Sequence, residues 1–175
     1  MEHYLEYLRD GIGFDKLAEM VKVDMSNFKV APYYGCLLLK PGKEIGLDDP
    51  EEPTILHDFL DAIGCTVVDF PGQIDCCGSY LVMREPEKTK DLSNAVVDGA
   101  KVYGAESIVT ACPLCHSNLD KSQAASAGDG VPIFYFTQLL AIALGLNTDE
   151  HKFDENRIDP LAVITSCGIG LAAAK

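Results

Sequence analysis

The residues able to do chemistry in this sequence are cysteines. Seven occur in 175 residues, and five fall in three short segments: Cys36, the adjacent pair Cys76 and Cys77, and Cys112 with Cys115 in Ala-Cys-Pro-Leu-Cys. Clustered thiols either bind metals as thiolates or exchange electrons as dithiols. The odd total argues against a simple disulfide framework. Met1 to Asp10 carries acidic residues and no apolar signal core, so the expected compartment is the reducing cytoplasm, where structural disulfides do not persist.

Four thiolates satisfy one tetrahedral zinc. A fifth exceeds that need, and the adjacent Cys76 and Cys77 are awkward ligands for one ion because neighbouring side chains diverge. They reach more naturally toward different iron atoms of an extended iron–sulfur cluster. The residues therefore favour iron–sulfur, with Zn2+ the alternative. The CxxC alone also fits a metal-free thiol oxidoreductase, which would leave three cysteines unexplained. Cys112 to His116 has the spacing of a c-type haem attachment site, a reading set aside for want of an export signal. Gly35 and Gly78 flank Cys36 and Cys77 and allow close backbone approach to a cofactor, or mark ordinary turns. His116 could donate to a sulfur or simply sit exposed at a helix start. Tyr33, Tyr34 and Tyr80 could line a pocket or belong to the core. Cys65, in an apolar run, and Cys167 read as packing residues. His57 reads as a surface or packing histidine.

The elements that must position these thiols are legible as an alternation. Strands are expected at Lys29–Tyr34, Cys65–Phe70, Ser107–Thr110 and Pro132–Phe136. Helices are expected at Thr54–Ile63, Pro86–Tyr103, Pro113–Ala125 and Thr137–Leu144, the last capped by Thr137 and ended by Gly145. Such an order implies an α/β fold, Rossmann-like, with a mainly parallel sheet of about four strands and flanking helices. All five cysteines then lie beyond the carboxyl ends of three strands, the edge where open parallel sheets bind ligands. Residues 1–28 read as a helical linking or packing segment, 29–146 as the cysteine-rich domain, and 147–175 as a tail. About 47% of the residues are hydrophobic and the formal net charge is −13. That charge repels phosphate backbones and makes nucleic acid an unsuitable partner. No uncharged stretch reads as a transmembrane segment.

The pattern Cys36, thirty-nine residues, Cys76-Cys77, thirty-four residues, Cys112-x-x-Cys115, with Cys76-Cys77-Gly78 as the tripeptide, resembles the cysteine-rich CCG domain. Tyr33 to Leu39 and Cys112 to Asp120 look like the B subunit of heterodisulfide reductase, and the likeness runs from about Lys29 to Gly145. The resemblance implies a noncubane [4Fe–4S] cluster on the five cysteines, acting in reduction of a disulfide or in electron relay. It also implies two partners: a flavin and iron–sulfur protein like the A subunit of heterodisulfide reductase, and a small iron–sulfur protein like its C subunit. Family members of this kind usually carry two CCG motifs, and this chain has one, like the carboxy-terminal half. The second half would come from a separate chain, from sequence outside a truncated chain, or from a second copy in a homodimer. The alternative is a structural zinc site or a module for assembling subunits.

Overall fold

The computed structural model describes residues 3–123 and 130–171. It opens with a helical hairpin: α1 (Tyr4–Glu6), which runs on into a π-helical turn at Tyr7–Ile12, and α2 (Phe14–Met20). Gly13, with φ +89°, separates them. Leu5, Leu8 and Leu17 are buried from this segment, and each such side chain contributes about 2 kcal/mol of burial free energy. Then come β1 (Lys29–Tyr33), the short α3 (Gly42–Ile45), α4 (Ile55–Ala62), β2 (Thr66–Val67), α5 (Pro86–Val102), β3 (Ser107–Thr110), α6 (Pro113–Ser122), β4 (Ile133–Tyr135), α7 (Phe136–Ala143) and α8 (Leu161–Ser166).

The four strands form one parallel sheet in the order β2-β1-β3-β4, so the α/β expectation holds. The pleat sends alternate residues to opposite faces. Val30, Tyr34, Val109 and Phe134 join one apolar cluster, with the α4 residues Ile55, Leu56, Phe59 and Leu60 and the α7 residues Leu139 and Ile142. Ala31, Tyr33, Ile108 and Ile133 join the other, with Val96, Val97 and Ala100 of α5 and Leu119 of α6. Helices therefore cover both faces, which a parallel sheet requires. The strand order reverses between β1 and β3. Past the carboxyl ends of these two strands the connections leave in opposite directions and a crevice opens.

Two boundaries differ most from expectation. β2 is two residues long rather than six. It is an edge strand, and although Val68 N–H still donates to the Val30 carbonyl at 2.9 Å, the chain then leaves for a 3₁₀ turn at Pro71–Ile74. Helix α7 begins at Phe136 directly from the strand. Its cap is Tyr135, not Thr137, and the Gln138 side chain accepts the Tyr135 N–H at 2.9 Å. Gly145 ends α7 as expected, in the left-handed region at φ +66°. Helix α6 is assigned to Ser122, and its expected end at Ala125 lies outside the described residues. The stretch after Asn147 is tied down: Asp120 accepts N–H bonds from Arg157 (2.6 Å) and Ile158 (3.1 Å), and Ile164 of α8 is fully buried. Residues 172–175 lie outside the described part. Among the described residues no helix is long and apolar enough to cross a membrane.

Candidate functional site

The five expected cysteines meet at one rim of the sheet. Cys36 follows β1 closely, with Gly35 just before it. Cys76 and Cys77 follow the turn that leaves β2. Cys112 is the N-cap of α6 and Cys115 sits in its first turn. Cys36 Sγ lies 3.6 Å from Cys76 Sγ, and Cys77 Sγ lies 3.5 Å from Cys115 Sγ. Cys115 also hydrogen-bonds Cys112. The adjacent residues Cys76 and Cys77 thus diverge, one outward to Cys36 and the other inward to the α6 pair. Cys76 is exposed, Cys36 is half-buried, and Cys77, Cys112 and Cys115 are buried. Gly35 bridges the two groups: a Cβ there would stand 2.8 Å from Cys115 Sγ. Among the described residues no three His, Cys, Asp or Glu side chains are grouped closely enough to hold a metal ion as they stand.

Hydrogen bonds from distant parts of the chain hold the rim. Tyr34 N–H donates to the Gln73 carbonyl at 2.8 Å, and Tyr33 O–H donates to the Asp75 carbonyl at 2.6 Å. Both tie the end of β1 to the turn that precedes Cys76. The Cys77 carbonyl accepts from Ser93 Oγ at 2.9 Å and from Asn118 Nδ2 at 2.6 Å, so α5 and α6 grip one peptide between them. Thr89 Oγ1 donates to the Gly78 carbonyl at 3.1 Å. A Cβ on Gly78 would meet Leu92 at 3.0 Å and the Thr89 backbone at 3.2 Å. Gly78 therefore permits contact with α5, whereas Gly35 opens onto a sulfur. Thr89, Ser93 and Asn118 escaped the sequence reading because their partner is a backbone carbonyl far away in sequence. A small polar residue on the buried face of a predicted helix is the one signal that could have found Ser93.

The thiols divide into proton givers and keepers. Cys77 is lowered to about 6, first by its hydrogen bond with Cys115 and also by Ser79 and Asn118, against the effect of burial. Cys112 is lowered to about 6, again first through Cys115, with the N–H groups of Cys115 and Leu114 at the helix start contributing. Cys115 is raised, since it holds the proton that its two neighbours share and is itself buried. Burial and Cys76 push Cys36 up to about 11. Burial, then charge on Cys115, Cys77, Cys76 and Cys36, raises the Tyr33 phenol. Tyr80 is raised by desolvation and by Cys36, Cys112, Cys76 and Cys115. Between them, the two phenols sense all five sulfurs.

Other residues singled out in sequence lie elsewhere. Cys65 precedes β2 at the opposite edge of the sheet; it is buried, and burial pushes it up to about 12. Cys167 is half-buried and packs against the edge of the main apolar cluster, with Sγ 3.6 Å from Glu106 Oε2. Tyr34 faces away from the rim: its hydroxyl meets His57 Nδ1 at 2.7 Å and accepts the Leu56 N–H at 3.1 Å, and His57 Nε2 meets Asp69 at 2.7 Å. His57 is thus the middle of a three-residue tie between β1, α4 and the chain after β2. His116 uses Nε2 on the Ile133 carbonyl at 3.0 Å, so that nitrogen pins α6 to β4 and makes no contact with a sulfur.

Comparison with known proteins adds the following. Residues 30–120 match the CCG family, described as a cysteine-rich domain. The chain is 33% identical, over 83% of its length and 53% of the relative's, to the 8-methylmenaquinol:fumarate reductase membrane anchor subunit of Wolinella succinogenes. It is 31% identical, over 98% of its length and 60% of the relative's, to the B subunit of the ferredoxin:CoB-CoM heterodisulfide reductase of Methanosarcina mazei. The B subunit of a ferredoxin/F(420)H(2)-dependent counterpart from Methanosarcina acetivorans is 32% identical over the same shares. The chain thus spans a little over half the length of the curated relatives it matches.

Proposed function

The chain belongs to the CCG cysteine-rich domain family, and on that premise we propose that it is the iron–sulfur component of a heterodisulfide reductase-like oxidoreductase. Cys36, Cys76, Cys77, Cys112 and Cys115 are the proposed ligands, and a noncubane [4Fe–4S] cluster the proposed cofactor. The observation that carries this reading is the split of Cys76 and Cys77 into different sulfur pairs on one rim. One tetrahedral ion has no use for that arrangement, whereas a group of several metal atoms does. The donor set fits: five sulfurs, two already favouring the thiolate, and a glycine where a side chain would intrude on Cys115.

When bound, such a cluster supplies single electrons to the sulfur of a disulfide substrate. The chain's own residues do the rest. Cys77 and Cys112 offer thiolates without an added base. Ser93 and Asn118 fix the Cys77 peptide, and His116 fixes α6 against the sheet, contributing to the cofactor site by position. Gly35 keeps the space beside Cys115 open, and Gly78 lets the Cys77 segment lie close on α5. Opening a disulfide also consumes a proton for each new thiol. Tyr80 is two-thirds exposed and is the phenol placed to hydrogen-bond a substrate arriving from solvent.

The proposed partners deliver electrons: a flavin and iron–sulfur protein like the A subunit of heterodisulfide reductase, and an iron–sulfur protein like its C subunit. A second CCG half, from further sequence, another chain or a second copy, completes the proposed assembly, and the proposed location is the cytoplasm. The test is anaerobic purification with iron and sulfide analysis and magnetic resonance of the oxidised and reduced protein. Cys77→Ser should abolish or change the cluster signal, and Cys65→Ser should leave it intact. Stoichiometric zinc without sulfide, or equal loss from both variants, refutes the assignment.

A further inference from the structure

A groove of about 340 Å³ opens beside Cys36, between the N-terminal helical segment and the loop that follows β1. Leu37, Leu38, Ile45 and Leu47 make its apolar surface, and Glu6 and Glu44 stand among them. Leu38 and Leu47 are buried and belong to the main apolar cluster, so the floor is anchored in the core. Leu37 and Ile45 are 37% and 39% exposed. Apolar surface left open in a groove and edged by charge marks a place of interaction.

The surroundings are strongly acidic. Between Leu37 and Asp61 the chain has seven acidic residues and two lysines, and one of those lysines, Lys40, lies 3.8 Å from Glu51. Glu44 is exposed and has no hydrogen-bond or ion-pair partner among the described residues, so its charge is open to a visitor. Glu6 accepts the His3 N–H at 3.2 Å. His3 also lines the groove, and its Nδ1 accepts the Leu5 N–H at 3.1 Å, a role open to the neutral ring. No lysine or arginine lines the groove. It therefore presents aliphatic surface under negative potential.

We propose that this groove receives an aliphatic side chain flanked by lysine or arginine, presented by the protein that delivers electrons to the rim. Recognition uses both features of the surface. The leucines take the aliphatic side chain out of water, and the carboxylates attract the flanking cations and steer the encounter. A net charge of −13 makes a second copy of this chain a poor occupant, since like charges repel. The position suits electron delivery. Leu37 directly follows Cys36, and the Cys36 carbonyl accepts the N–H groups of Leu39 at 3.4 Å and Lys40 at 2.9 Å. Groove wall and sulfur thus belong to one turn. Cys36 in turn lies 3.6 Å from the exposed Cys76. A partner seated on Leu37 therefore stands beside the outer sulfur pair, while the inner pair, Cys77 and Cys115, stays buried. The delivery of electrons rests on the proposed cluster; the docking itself does not.

The test uses the full chain, metal-free, reduced and anaerobic. The probe is a dye-labelled peptide, Gly-Lys-Lys-Gly-Leu-Leu-Gly-Lys-Lys-Gly, beside a counterpart with serines in place of the leucines. Fluorescence anisotropy should give saturable one-to-one binding of the leucine peptide at about 20 mM salt, weakening as salt rises to about 300 mM. The serine peptide should bind about fivefold or more weakly. Leu37→Asp should weaken binding of the leucine peptide about tenfold or more, the loss of one buried aliphatic contact. Glu44→Lys should weaken it about fivefold or more. Asp98→Lys makes the same charge change at an exposed position of α5, on the other face of the sheet, and should alter binding by less than about twofold. Leu37 and Glu44 are exposed, so their variants should keep the urea midpoint of the natural chain. No saturable binding by the natural chain, equal binding of the two peptides, or equal loss in Glu44→Lys and Asp98→Lys overturns the proposal. Binding is read without metal, so it is judged separately from the iron and sulfide content that tests the proposed cluster.

Discussion

Gly35→Ala tests the rim most directly, because the structure supplies its own control. Gly35 has φ +65° and Gly46 has φ +64°. The backbone penalty for adding a methyl group is therefore nearly the same at both, about 1 kcal/mol. Their surroundings differ. A Cβ at Gly46 meets nothing within 4 Å, whereas a Cβ at Gly35 stands 2.8 Å from Cys115 Sγ and 3.4 Å from the Tyr33 ring. Ordinary contact lies near about 3.6 Å, so Cys115 must retreat by about 0.8 Å. It cannot do so freely, since it is buried and shares hydrogen bonds with Cys77 and Cys112. Overpacking of this kind costs about 1–3 kcal/mol beyond the backbone strain.

In urea unfolding of the metal-free chain, Gly46→Ala should therefore lose about 1 kcal/mol, or roughly 2–4 °C in Tm, and Gly35→Ala about 2–4 kcal/mol. Anaerobic reconstitution provides the second reading. Gly46→Ala should take up iron and sulfide as the natural chain does, and Gly35→Ala should take up far less. If both variants lose the same stability and both reconstitute fully, the methyl group does not displace Cys115 and Gly35 is a turn residue like any other.

Asn118→Ala should cost about 1 kcal/mol and slow reconstitution, because Ser93 alone would then hold the Cys77 carbonyl; denaturant midpoints and the rate of colour return check this. Tyr34→Phe removes the acceptor of the Leu56 N–H and the neighbour of His57 Nδ1, and should cost about 1–2 kcal/mol with no effect on iron content, since this tie faces away from the rim. Asp120→Asn weakens two charge-assisted bonds to the Arg157 and Ile158 amides and should lose about 1–3 kcal/mol, with residues 157–166 exchanging amide hydrogen first. For pH, burial raises Cys65 from an ordinary 9.0 to about 12. The folded chain holds that proton more tightly than the unfolded one, so this contribution is complete below about pH 9 and is lost as the pH rises toward about 12, with an upper bound of about 4 kcal/mol. Urea midpoints between about pH 8 and pH 11 should fall more steeply in the natural chain than in Cys65→Ala.

Much of this arrangement was legible because it follows from short-range rules. Strand and helix periodicity gave the order of elements, the order implied a parallel sheet, and a parallel sheet collects everything just past its strands at one edge. Cys36, the Cys76-Cys77 pair and the Cys112–Cys115 turn needed no further information to meet. What escaped was set by tertiary contact. β2 looked six residues long because Cys65 to Phe70 is largely apolar, but an edge strand can stop pairing while its side chains still pack: Phe70 is buried among α5 residues. Thr137 looked like a cap because it is a good one in isolation, until Gln138 took the amide of the residue before the helix. Gly35 and Gly78 look identical in sequence, since both are turn glycines beside a cysteine, and only the neighbour across the gap separates them. The two ends of this range meet at Cys76 and Cys77. That their side chains part is a matter of backbone geometry and could be read directly. That the partings end on Cys36 and on Cys115 depends on α5 and α6 gripping the peptide of Cys77 through Ser93 and Asn118. Chemistry at the rim therefore depends on helix side chains that carry no reactive group, and substitutions there should damage a sulfur site they never touch.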